Sequence, residues 1–130
     1  MLVQNDDAGK DYIRGLKEGL GDKAAGLIVK ELTYETTSPL IDSQIVALQA
    51  AGADTLFLMT TPKFGAQAIR KIGELGWKPL TYLSAVSTSI KTVLEPAGLD
   101  YSKGIITALA VKRPEDPRWE NSPDVVAYKA

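Results

Sequence analysis

Residues 54–62 read Asp54-Thr55-Leu56-Phe57-Leu58-Met59-Thr60-Thr61-Pro62, and the order of residue types in them decides the fold. Thr55 to Met59 is an apolar run without polar alternation, which predicts a central strand of a parallel sheet covered on both faces. Thr61 followed by Pro62 is a helix start: a hydroxyl sits at the cap, and proline sits at the first helical position, where its missing N–H is not needed. Phe64, Ala68, Ile69, Ile72 and Leu75 then recur at helical spacing, with Gly73 and Gly76 bracketing the end. A strand running straight into a helix is the repeating unit of an α/β fold.

The same unit recurs to either side. Met1 to Gln4 is a short apolar strand, Asn5-Asp6-Asp7 are capping residues, and Tyr12, Ile13, Leu16 and Leu20 share one helical face that stops at Gly21. Gly26 to Tyr34 reads as the second strand through Leu27, Ile28 and Val29. Ser38 reads as the next N-cap before Pro39, and Ile41, Ile45 and Leu48 follow at helical spacing up to Ala51-Gly52. Toward the other end, Pro79 to Leu83 is a fourth strand, and Ser87-Thr88-Ser89 lead into a short helix, Ile90 to Glu95, broken by Pro96 and Gly98. Gly104 to Val111 reads as a fifth strand, and a charged, proline-rich loop runs from Arg113 to Trp119. The helical pattern from Pro123 to Ala130 runs out without a stop signal, as expected of a piece of a longer chain. The predicted fold is α/β, a doubly wound parallel sheet of about five strands in a flavodoxin-like three-layer sandwich, forming a single domain over 1–130.

Composition narrows the function. A chain of 130 residues buries about 70% of its unfolded surface, enough for one core. Fifteen basic and sixteen acidic residues leave a net charge of -1 with no like-charged block, so no nucleic-acid partner is expected. Cysteine and histidine are both absent, which removes thiol chemistry, the usual general base and the commonest metal ligand. Nucleophile and base would have to be assembled from carboxylates and lysine, so the chain is not read as an enzyme, and no cofactor is expected. No apolar run approaches the ~20 residues of a membrane span. No charged segment followed by an apolar stretch and cleavage site opens the sequence, so any export signal is expected to lie outside it.

In a parallel sheet the loops after the strands share one edge, where open α/β sheets take their ligands. Here those loops are 5–8, 35–38, 60–63, 84–87 and 112–119, rich in small polar residues and helix starts. Helix dipoles there favour an anionic or polar group by about 0.5 kcal/mol each. The plainer readings stand beside this one: Ser38-Pro39 and Thr61-Pro62 cap helices with or without a ligand, Asp6 and Asp7 serve as a cap and a solvated carboxylate, and Lys63 is solvated. Trp119 either stacks on a ligand or packs on its own loop. Gly15-Leu16-Lys17-Glu18-Gly19 lacks the spacing of a phosphate cradle. A phosphoacceptor domain has the same topology, and Asp6-Asp7 and Lys112 suit it, yet Asp54 precedes the third strand and Met59-Thr60-Thr61 stand where the acceptor belongs.

Three stretches carry a family resemblance: Val3 to Tyr12 (VQNDDAGKDY), Asp42 to Leu48 (DSQIVAL) and Ala51-Gly52-Ala53-Asp54, followed by Lys71 to Gly76 and Gly104-Ile105-Ile106. In this order and spacing they resemble the second lobe of periplasmic solute-binding proteins of ABC transporters, of the branched-chain amino acid (Leu/Ile/Val) type. The resemblance runs through essentially the whole chain. It implies a type I periplasmic binding protein lobe, half of a two-lobed receptor whose missing first lobe closes over a small-molecule ligand. It also implies a membrane permease as partner and a periplasmic location, the signal peptide lying outside this sequence.

By motif, the resemblance places ligand-binding residues at Asp7 and Ala8, at Thr60, Thr61 and Pro62, and at Ser84, Ala85 and Val86. Amino acid receptors commonly carry tyrosine at the position of Ala8 and, near Ala85 and Val86, a carboxylate that pairs with the ligand's ammonium. An unpaired ammonium in a closed cleft costs several kcal/mol, so the expected ligand is an aromatic or apolar carboxylate rather than a free amino acid. Glu35 substitutes only if its loop folds inward. Two further readings remain open: a ligand-sensing lobe of a signalling receptor, and branched-chain amino acid binding.

Overall fold

The computed structural model describes residues 1–130. Strands β1 (Leu2–Gln4), β2 (Leu32–Tyr34), β3 (Thr55–Met59) and β4 (Leu80–Leu83) form one parallel sheet in the order β2-β1-β3-β4. Leu2 of β1 pairs with Leu32 on one side and Leu58 on the other, and Thr55 of β3 opposes Leu80 of β4. The helices are α1 (Asp7–Leu20), α2 (Ala24–Leu27), α3 (Asp42–Ala50), α4 (Pro62–Glu74), α5 (Glu95–Ala97) and α6 (Pro123–Lys129). The α/β fold and the parallel sheet are as predicted.

Alternation along β3 divides the molecule into two layers of unequal cover. Leu56 and Leu58 are fully buried among Ile41, Ile45 and Leu48 from the α3 segment and Phe64, Ala68, Ile69 and Ile72 of α4. Each such side chain contributes about 1.5–3 kcal/mol by leaving water. Phe57 and Met59 point the other way, toward α1, and are only half-buried. The expectation that β3 is covered on both faces is corrected: α1 supplies no member of the main core, and Tyr12 on its apolar stripe is 46% exposed.

Helix ends follow local chemistry. The Asp6 carboxylate accepts the Gly9 N–H at 2.8 Å, and Gly21, at φ +56°, closes α1 with its own N–H on the Lys17 and Glu18 carbonyls. Thr61 and Pro62 stand at the start of α4 as expected, but the Thr61 hydroxyl makes no capping bond and lies 3.3 Å from the Tyr34 hydroxyl instead. Ser38 does not cap α3, which begins at Asp42 with Ile41 at the cap position and no side-chain hydrogen bond. Pro39 lies in the preceding loop, its carbonyl accepting from Gln67 of α4 at 3.0 Å.

Two strand predictions are corrected. The run from Gly26 shortens to Leu32–Tyr34, because β1 pairs with only those three residues, while the Ile28 N–H still bonds back to Ala24 in a helical turn. Leu27 and Val29 are left 60% and 57% exposed. The fifth strand reduces to one bridge between Tyr82 and Ile106, so the sheet has four strands rather than about five. Ile106 exchanges backbone bonds with Thr81 and Leu83 at 2.9 Å, and beyond it the Leu83 carbonyl is bonded by the Thr107 hydroxyl at 2.9 Å while no backbone N–H of 107–111 reaches β4, a local side-chain bond standing where the ladder stops.

Candidate functional site

Because all four strands run parallel, their carboxyl ends lie on one edge, and the turns after β1, β3 and β4 are neighbours there. Asp7 and Ala8 open α1, Thr60 to Pro62 join β3 to α4, and Ser84 to Val86 follow β4. Two glycines let the elements approach closely enough to form this rim. A Cβ on Gly9 would stand 1.8 Å from the Gln4 carbonyl oxygen, and one on Gly65 would stand 2.9 Å from Ser87 Cβ. The first turns of α1 and α4 therefore rest directly on their neighbours.

The rim has a buried frame and an exposed lip. Within the frame, the Ser84 and Ser87 hydroxyls both donate to the Thr60 carbonyl at 2.6 Å, which locks the β4 turn onto the β3 turn. Thr60 and Ser84 are 2% and 4% exposed, so their side chains lie beneath the surface, and the Thr60 hydroxyl has no hydrogen-bond partner. Asp7, Ala8, Pro62, Ala85 and Val86 form the exposed lip, with Thr61 half-buried between them. Asp7 is paired with Lys10 at 3.2 Å.

Tyr34, Ser87 and Gly65 organise the rim and were not among the predicted site residues. The Tyr34 hydroxyl accepts from the Thr61 N–H at 3.0 Å and lies 3.3 Å from the Thr61 hydroxyl. The sequence signal that could have found Tyr34 is its place at the end of a strand that leads to the site edge. Glu35 is bound by the Asn5 side-chain amide. It stands at the end of β2, three strand spacings from β4, or about 14 Å.

Two open cavities border the rim. One, about 810 Å3, lies on the thinly covered sheet face between α1 and β4, with Phe57, Met59 and Tyr82 as its floor. Ala8, Ser84 and Ala85 close its upper end. Phe57 and Tyr82 stack there with ring centroids 4.8 Å apart. The other, about 540 Å3, lies beyond β4 against 105–119 and includes Leu83, Thr88 and Trp119. Trp119 carries the Lys112 ammonium 5.2 Å from its ring centre. Near this second cavity Asp116 is held below the usual carboxylate range, chiefly by the side-chain hydrogen bond from Arg118. No three His, Cys, Asp or Glu side chains converge in a metal-holding cluster.

The family described as periplasmic binding protein matches residues 1–130. Among solved structures, a substrate-binding periplasmic protein from Ralstonia solanacearum is 27% identical, with a TM-score of 0.75 over 87% of this chain and 31% of its own. A fatty acid ABC transporter substrate-binding protein from Thermomonospora curvata shares the fold at 23% identity, with a TM-score of 0.78 over 98% of this chain and 33% of its own. The chain thus spans about a third of the length of the structures it resembles. No curated protein matches it.

Proposed function

The chain belongs to the periplasmic binding protein family, and from that premise we propose that it is one lobe of the solute receptor of an ABC transporter. Its strand-end rim forms one wall of a cleft that a second lobe closes, and the ligand is an apolar or aromatic carboxylate. The receptor works in the periplasm and hands its ligand to a membrane permease. It captures the ligand without turning it over.

One observation carries the choice of ligand. Where an amino acid receptor of this kind is expected to present a carboxylate to the ligand's ammonium, the β4 turn presents Ala85 and Val86, both exposed. Glu35 does not replace that carboxylate, since Asn5 engages it and two strands lie between it and β4. An ammonium buried against this wall stays unpaired, whereas an apolar body loses nothing there.

The test is calorimetric titration of the purified protein with phenylacetate, octanoate, leucine and valine. The acids are expected to bind and the amino acids to show no heat of binding. Tight leucine binding would refute the argument from Val86.

A further inference from the structure

The cavity beyond β4 has an apolar wall and an uneven charge. Leu83, Leu94, Ile105 and Val111 line it, and Lys112, Arg113 and Arg118 border it against a single carboxylate, Asp116. Two of the three cations are already matched. Lys112 Nζ lies 3.0 Å from Asp124 and donates to Ser122 Oγ at 2.7 Å. Arg118 forks onto Asp116, its Nη2 at 2.6 Å and its Nε at 3.1 Å from Oδ2. Arg113 has no carboxylate within 4.0 Å.

Arg113 is nevertheless held in place. Its Nη2 donates to the Thr88 carbonyl, which anchors the guanidinium at the cavity border two positions past Val86. That bond uses one N–H and leaves the other donors of the planar fork without a protein partner. A planar fork with free paired donors is the geometry that receives a carboxylate through two parallel hydrogen bonds. A volume of about 540 Å3 lies within the range of small-molecule sites, so the body of a small acid has room beside it.

We propose that Arg113 is the residue that binds the ligand's carboxylate, and that the cavity walled by Leu83, Leu94, Ile105 and Val111 takes the apolar body of a monocarboxylic acid. Arg113 is the one of the three cations without a carboxylate in contact, although its charge also acts on Asp116, and it balances a single ligand carboxylate; a second would be driven against the apolar wall. Thr88 joins this cavity to the rim turn at Ser84 to Val86. The assignment rests on the acid-binding reading above and adds the residue that makes the acid group the recognised feature.

The experiment titrates wild type, Arg113→Gln, Arg113→Lys and Arg118→Gln with octanoate and phenylacetate, and with their neutral amides, octanamide and phenylacetamide. Glutamine removes the charge and the fork and, being two bonds shorter, releases the tie to the Thr88 carbonyl as well. R113Q is expected to raise the Kd of both acids about tenfold to a hundredfold and to leave the amides unchanged. R118Q leaves the Asp116 carboxylate without its partner in the same cavity and is expected to weaken both acids less than R113Q does, with the amides unchanged. Arg113→Lys keeps the charge and loses the fork, so its acid affinity is expected to fall between wild type and R113Q, which also covers an R113Q protein that fails to fold. Acid affinity in R113Q or in R113K equal to that of wild type overturns the role of the Arg113 fork while the acid-binding reading stands. Absence of acid binding in wild type overturns both.

Discussion

The hydroxyl of Tyr34 accepts the backbone N–H of Thr61 at 3.0 Å, so the end of β2 is tied across β1 to the start of α4. Tyr34 is 2% exposed, and its ring packs on Phe64 at 4.3 Å. Its hydroxyl also lies 3.4 Å from Gln4 Oε1. One buried side chain of β2 thus touches both β1 and the start of α4.

Tyr34→Phe keeps the ring packing and removes the acceptor. The Thr61 N–H loses its partner, which costs about 1–2 kcal/mol. Urea denaturation is expected to show a lower midpoint with an unchanged slope. Equal midpoints would mean that water replaces the hydroxyl and that the tie is not structural.

Two glycines inside helices are expected to respond with opposite signs to alanine. Gly15 in α1 has nothing within 4 Å of an added Cβ, so Gly15→Ala gains helix propensity and stabilises by up to about 1 kcal/mol. At Gly65 in α4 the added carbon meets Ser87 Cβ at 2.9 Å and its hydroxyl at 3.0 Å. Ser87 is fully buried and cannot move without losing its bond to the Thr60 carbonyl. Gly65→Ala is therefore expected to destabilise despite the better propensity, and thermal melts of the two variants check the signs.

Val86→Asp restores a carboxylate to the β4 turn. Val86 is 63% exposed, so stability should stay within about 0.5 kcal/mol of wild type. Titration is expected to show leucine binding gained and acid binding weakened by like-charge repulsion. An unaltered preference would remove the β4 turn from ligand selection.

Asp124 provides a pH prediction near the second cavity. The Ser122 hydroxyl first, and the Lys112 ammonium second, bring its carboxyl from 3.8 down to about 2. A folded value below the ordinary one means that the tie between α6 and Lys112 is fully present above pH 3.8 and is lost as pH falls through about 2. Carboxyl NMR titration is expected to place the Asp124 midpoint near 2 and to show it rising toward 3.8 in Ser122→Ala. A wild-type midpoint at the ordinary value contradicts the arrangement.

Several features were legible because they are local. The Asp6 cap, the Thr61-Pro62 start, the unbroken run of β3 and the inward stripe of α4 each depend on residues within a few positions of one another. Leu27 to Val29 shows where that ends: the run has the β-branched composition of a strand, yet β1 pairs with Leu32–Tyr34, and propensity yields to pairing. Gly104 to Val111 departs in a similar way, since only Ile106 pairs with β4 and the Thr107 hydroxyl, not a backbone N–H, bonds the Leu83 carbonyl.

The candidate site divides in the same way. Sequence placed Ala8, Pro62, Ala85 and Val86 on one rim because parallel strands put their following turns on one edge, and that alternation is written along the chain. The partnership of Tyr34 with Thr61, and of Arg113 with Thr88, joins residues 27 and 25 positions apart. Periodicity and caps determined which elements form and which way they run. Only tertiary packing decided which side chains meet, because hydrogen-bond partners are chosen by distance in space, which no spacing along the chain encodes.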